Sequence, residues 1–295
     1  MVCILITAMK QLMETQISTV NKKRIIPKKV LVFCAVLVAI FILIYPTLYV
    51  ESINAAIRDN GIIRVKIMLA LPGDVNYRWY LGDVAGRTPL EVAGMEGNTD
   101  IMALLLLNGA KPNNDPQKGF GQPIEYVFGR RIYEGLFDRT KLLVESGADL
   151  SIRGSYDAPI IHRLMTRPDY LYEDTLEAAN AEVLNTLIYV VEHGASVTPN
   201  HPGDLFLTNV VQNKNYGVLA FLFDKDIVDI NAQEPPFGET AMMRAAKLGN
   251  LEMVDFLLSY GADKTLQDNE GKTALDHAIE GGHTDIVLRL KEGVQ

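Results

Sequence analysis

The chain has almost no cysteine. Only Cys3 and Cys34 occur among its 295 residues, and both precede Val50. Everything after Val50 is therefore expected to fold without an internal disulfide or a cysteine-ligated metal site. Catalytic signatures are missing as well. The sequence holds no His-Glu-x-x-His pair and no glycine-rich phosphate loop after a strand. It holds no Gly-x-Ser-x-Gly elbow either. The five histidines, His162, His193, His201, His277 and His283, show no metal-ligand spacing. These absences point to a protein that is not an enzyme and takes no cofactor or metal. No Asn-x-Ser/Thr sequon occurs beyond Val50, which with the missing cysteines fits a bacterial source. Positive charge is scarce beyond Val50 too: residues 51–295 hold 22 basic and 35 acidic side chains, a net of −13. Such a body repels nucleic acid.

What the chain does hold, first, is a long apolar run. Val30 to Val50 reads VLVFCAVLVAIFILIYPTLYV, without one charge. About 20 apolar residues at about 1.5 Å rise each span a bilayer core as a helix. Tyr45 and Tyr49 suit the interface. Lys22, Lys23, Arg24, Lys28 and Lys29 precede the run, whereas Arg58, Arg64 and Lys66 are the basic residues that follow it within comparable reach. The positive-inside rule then makes 1–29 a cytoplasmic basic tail, 30–50 an uncleaved transmembrane signal anchor, and 51–295 an exported domain, facing the periplasm in a bacterium. A cleaved signal peptide is the rival reading, but no small-x-small site follows Tyr45.

Second, the chain repeats itself. GNTDIMALLLLNGAK from Gly97, GNLEMVDFLLSYGAD from Gly249 and GGHTDIVLRL from Gly281 are near copies. Thr240 and Thr273 lie 33 residues apart, as do Gly249 and Gly282. Gly-Ala pairs close units at Gly109, Gly147, Gly194 and Gly261. Self-similarity at this period marks a stacked repeat. Within one unit, small Ala245 and Ala246 allow close helix approach, and Gly249 suits a helix end. Met253, Val254, Phe256, Leu257 and Leu258 give the next helix a broad apolar face. Two short helices cannot bury such a face alone, so neighbouring units must cover it.

These strings resemble the ankyrin repeat family, with TPLE at Thr88, TAMM at Thr240 and TALD at Thr273 standing where the family writes Thr-Pro-Leu-His. The resemblance covers about residues 52–292 and implies an all-α ankyrin-repeat solenoid of about seven helix-turn-helix units behind the transmembrane helix. Ser52–Asn76 is read as the N-terminal cap, and Arg289, Lys291 and Glu292 are expected to keep the last unit's outer side wet. His162 falls at the family's histidine position, which implies a backbone hydrogen bond between units. His193 and His283 are read as turn residues, and His277 as outward-facing. The unit at Gly203–Asn231 lacks the usual opening and closure, so its helices rest on pattern alone.

One departure from the spacing stands out. Gly194 lies 35 residues after Pro159, where Gly261 lies 21 after Thr240. The excess is placed at Thr166–Asn180, between that unit's helices, as a surface insertion carrying Tyr170 and Tyr172 among carboxylates. It reads either as a tolerated loop or as a recognition element. In ankyrin proteins the hairpin tips and first helices form the binding face. By position this implies Phe120, Arg153, Tyr156, His201, Glu234, Phe237, Gln267 and Asn269 as contact candidates, with Phe237 foremost as an exposed aromatic. The partner is then another protein. One specific form is an immunity or inhibitor protein whose acidic surface caps a basic secreted effector.

Overall fold

A computed structural model describes residues 48–78, 86–115, 121–129, 134–151, 159–165, 173–197 and 206–292. The chain divides into two units, 1–48 and 49–295. Apart from Leu48, the described residues all belong to the second. The apolar run at 30–50 lies outside the described residues as far as Thr47. Its last residues, 48–50, already begin a helix of the second unit, in which Tyr49 and Val50 are buried. Tyr49 therefore packs against the stack instead of meeting a membrane interface, and the expected span stops short of Val50. Among the described residues no helix is long and apolar enough to cross a membrane.

The second unit is a ladder of helix pairs. Residues 48–58 form α1, followed by α2 (Ile62–Leu69). The next pair is α3 (Pro89–Glu96) and α4 (Thr99–Leu107), then α5 (Pro123–Gly129) and α6 (Leu136–Glu145). A 3-10 segment (Ile160–Met165) precedes the long α7 (Glu173–Glu192). Three further pairs complete the ladder: α8 (Phe206–Gln212) with α9 (Tyr216–Asp224), α10 (Ala241–Lys247) with α11 (Leu251–Ser259), and α12 (Ala274–Glu280) with α13 (Thr284–Lys291).

Each first helix touches the first helices on either side of it, in the order α3, α5, the 3-10 segment, α8, α10 and α12. Second helices meet their neighbours likewise, and Tyr216–Phe256 ring contact at 5.4 Å joins α9 to α11. The core is thus a row of interfaces between adjacent units, filled by residues such as Leu105, Leu143, Leu187, Leu222 and Leu257, all fully buried.

The repeated threonine now has a cause. Thr88 Oγ1 accepts the Glu91 N–H, and the Glu91 carboxylate accepts the Thr88 N–H at 3.0 Å. Thr273 and Asp276 make the same reciprocal pair. This capping box satisfies N–H groups that a helix start leaves open.

The irregular unit at Gly203–Asn231 is helical, as its pattern indicated. Where its neighbours place glycine in the left-handed region, it places Lys214 at φ 53° and Asp226 at φ 50°. Gly249 and Gly261 hold the corresponding turns in the next unit at φ 70° and 86°. The chain adopts the repeat's backbone there against the preference of its side chains, because the packed helices on either side over-determine the turn.

Two expectations are corrected and a third is refined. Residues 173–180 of the expected insertion are not a loop but the first two turns of α7; residues 166–172, with Tyr170 and Tyr172, lie outside the described residues. Ala179, Val183, Leu187 and Val190 are buried at three- and four-residue spacing, one continuous apolar stripe. His277 does not face outward: it is buried, with Nε2 2.8 Å from Asp268 Oδ2. The last unit's outer side is wet, as expected, but not wholly polar. Ile279 and Leu288 are 54% and 65% exposed, beside a depression of about 440 Å³ that Val287 also lines. Ala246, which occupies the Ile279 position one unit earlier, is fully buried.

Candidate protein-binding surface

The hairpin tips between units are built from short-range side-chain bonds. Asp74, Asp149, Asp229 and Asp263 each accept the N–H two residues on, at 2.8–2.9 Å. These Asx turns start the hairpins in the same way each time. Asparagine then ties one unit to the next. Asn76 donates to the Gly109 carbonyl and accepts from the Lys111 N–H. Asn113 repeats this with Gly147 and Asp149, and Asn231 accepts from the Asp263 N–H. An amide side chain suits the task because it carries both a donor and an acceptor. The sequence reading did not single out these asparagines, although the Asn recurs just ahead of three hairpins.

Near the C-terminal end two successive tips are joined. The strand-like bridge Glu234–Glu239 closes the first tip, with the Glu234 N–H donating to the Glu239 carbonyl at 2.9 Å. Gly238 turns the chain at φ 70°, and a side chain there would collide with Asn269 Oδ1 at 2.7 Å. Asn269 reaches back from the next tip, donating its main-chain N–H to the Phe237 carbonyl at 2.9 Å and its side-chain amide to Pro236. Gln233 donates to the Gln267 carbonyl at 2.6 Å. Phe237 is left 59% exposed on a backbone held from both sides.

Of the ten candidates named from the sequence, Phe120, Arg153, Tyr156, Tyr170, Tyr172 and His201 lie outside the described residues. Phe237, Gln267 and Asn269 are exposed on the joined tips. Glu234 is corrected: it is only 5% exposed and turns inward. Its carboxylate accepts the N–H groups of Leu207 and Thr208 at the start of α8. That helix start has no threonine cap, and the acidic group from the following tip supplies what is missing.

Other buried polar groups serve the frame. Glu91 is fully buried, pairs with Arg78 Nη2 at 2.6 Å and accepts from Asn114 at 2.7 Å. His162 Nε2 lies 3.2 Å from the Val197 carbonyl, the bond between units that the family position implies, and its ring stacks on Phe206. His193 and His283 sit at helix boundaries and meet the carbonyls of Tyr189 and Lys247. Burial raises the Tyr126 pKa, and the nearby Glu91 adds to it. Among the described residues no group of His, Cys, Asp and Glu could hold a metal ion.

Comparison with known proteins agrees with this architecture. The family model of ankyrin repeats in three copies matches residues 207–295, and that of the single ankyrin repeat matches 85–115. The chain thus carries ankyrin repeats, and the described second unit is an all-helical ankyrin-repeat solenoid. It is similar to Notch-regulated ankyrin repeat-containing protein A of Danio rerio, 49% identical over 55 residues, or 19% of this chain and 49% of the relative. It is similar to the human ARF GTPase-activating protein GIT2, 40% identical over 62 residues, or 21% of this chain and 8% of that protein. The match thus spans half or less of each relative's length. Both come from vertebrates and lend no support to a bacterial source. Among solved structures, the human ASB11 ankyrin repeat domain aligns with a TM-score of 0.63 at 18% identity, covering 82% of this chain and 99% of that one. The Bcl-3 ankyrin repeat domain aligns at 0.55 and 22% identity, over 80% and 97%.

Proposed function

We propose that this chain is a membrane-anchored, non-catalytic protein-interaction scaffold, with the apolar run from residue 30 to about 47 as its anchor, the N-terminus cytoplasmic and the ankyrin stack exported. The observation that carries the binding reading is Phe237. A large apolar side chain stands in solvent on a tip whose backbone is pinned by Asn269 and Gln233, so little ordering cost opposes a partner there. Aromatic side chains in such positions often dominate binding energy. The chargeless run and the basic residues before it support the anchor.

A second, narrower reading is favoured by the net −13 of residues 51–295: an immunity or inhibitor protein that neutralises a basic secreted effector, in the periplasm if the source is bacterial.

The test is a photo-crosslinking amino acid at Phe237 in the full chain, expressed in its native cells, with Lys141 on α6 as the control. The binding reading expects a discrete adduct from position 237 and none from 141. Equal labelling, or none at either, removes it. A basic adduct whose yield falls with salt favours the inhibitor form.

A further inference from the structure

One exposed helix face lies at the other end of the stack. In α2, Ile63 and Ile67 are 71% and 59% exposed, one turn apart on the same side, while Val65 is the residue turned into the core. Arg64 and Lys66 are exposed between them, and α2 holds no carboxylate. The nearest acid, Asp59, is paired with Arg64 at 2.7 Å. An apolar pair interleaved with cations is unfavourable toward water, and it is the pattern of a helix that lies in a lipid interface. The surrounding charge agrees. Residues 51–76 carry three basic and three acidic side chains, whereas 77–295 carry the whole net of −13. This end therefore carries none of the net negative charge that would repel an anionic surface.

Within the stack, the turn after α2 packs on α1. After α2 the backbone returns to Gly73, which sits so tightly under the Tyr49 ring that a side chain at 73 would fall 2.5 Å from it. Tyr49 is the penultimate residue of the apolar run.

We propose that α2 rests on the bilayer: Ile63 and Ile67 enter the headgroup boundary, and Arg64 and Lys66 meet anionic phospholipid phosphates. This rests on the anchor reading and adds to it a second, peripheral contact, which would fix the tilt of the stack over the membrane. A flexible tether alone would not.

The experiment uses the full chain reconstituted in vesicles of phosphatidylcholine with or without phosphatidylglycerol. Cys3→Ser and Cys34→Ala clear the native thiols, and a fluorophore is placed through Ala70→Cys, at the exposed end of α2, or through Gln267→Cys, on a tip. Nitroxide-labelled lipid is the quencher. Quenching several-fold stronger at 70 than at 267 is expected. Ile63→Ser with Ile67→Ser should abolish the excess. Arg64→Gln with Lys66→Gln should lower it in anionic vesicles, each charge shifting the docked balance by about fivefold. Equal quenching at 70 and 267 in chains that resist carbonate extraction overturns the α2 contact and leaves the anchor. Excess quenching that survives both double variants also overturns it. Chains that carbonate extracts, yet that show the excess, keep the α2 contact and discard the span. Extraction without excess discards both.

Discussion

The main-chain N–H of Asn269 donates to the carbonyl of Phe237 at 2.9 Å, across 32 residues of sequence. The same residue's side chain holds Pro236. Phe237 is thus displayed, not merely exposed. Phe237→Ala is expected to weaken binding of the protein that crosslinks at this position by more than about 1 kcal/mol. Its unfolding midpoint should stay unchanged, because the side chain leaves nothing behind in the core. Asn269→Ala should lower both stability and binding: it removes a tip bond of about 0.5–1.5 kcal/mol and frees the loop beneath Phe237. Isothermal titration and urea unfolding of the two variants separate these effects.

Glu234 should behave oppositely. Because it caps α8 from the following tip, Glu234→Gln is expected to lower stability by about 1–3 kcal/mol while leaving partner affinity of the folded protein intact. A variant that unfolds normally and loses binding would put Glu234 back among the contact residues.

The left-handed turns at Lys214 and Asp226 are sites for gain. A non-glycine residue there costs about 1–2 kcal/mol, and glycine's extra chain entropy returns about 0.5–1 of it. Lys214→Gly and Asp226→Gly should each raise stability by about 0.5–1 kcal/mol, read as a higher urea midpoint with an unchanged slope. The Lys214 carbonyl accepts from the Asn180 side-chain amide, a bond that glycine retains.

Acid should loosen the last two units first. Burial raises the Asp268 pKa, but the N–H groups of Lys272 and Glu270 and the His277 Nε2–H donate to its carboxylate and together leave it below the ordinary range. The Thr273 N–H and hydroxyl hold Asp276 low, and the Thr265 hydroxyl and N–H hold Asp263 low. A carboxyl depressed by folding contributes stability in full above its unfolded pKa of about 4, and loses it as pH falls through the folded value. The unfolding midpoint should therefore be flat from neutral pH to about 5 and fall below about 4. Asp268→Asn should be less stable at neutral pH and lose part of that slope. Hydrogen exchange should show α12 and α13 opening before α4 and α6.

The repeat, its period and its helix pairs were legible in the sequence because they rest on local patterning. Thr-x-x-acid caps, apolar spacing and the Gly-Ala closures each act within about ten residues, and copies 33 apart identify one another. Helices also follow from pattern in the irregular Gly203–Asn231 unit, even though its turns lack glycine. The apolar run and the charge asymmetry are one-dimensional properties too. Where local signals conflicted with spacing, the reading failed. Thr166–Asn180 looked like a loop because the unit was too long, yet the stripe Ala179, Val183, Leu187, Val190 already marked a helix running into it.

Tertiary structure alone decided what each polar side chain does. Glu234 and Phe237 sit three residues apart on one tip; one turns inward to a helix start 26–27 residues upstream and the other stays in water. His277 is buried because Asp268, from the hairpin before it, stands within 2.8 Å. Ile279 is exposed where Ala246, its counterpart, is covered by the following unit. Hydrogen-bond satisfaction and burial depend on which chain segments meet, and in a stack those partners are about one repeat away. Local pattern sets the form of each unit, and the neighbouring unit decides which of its side chains are left free to bind.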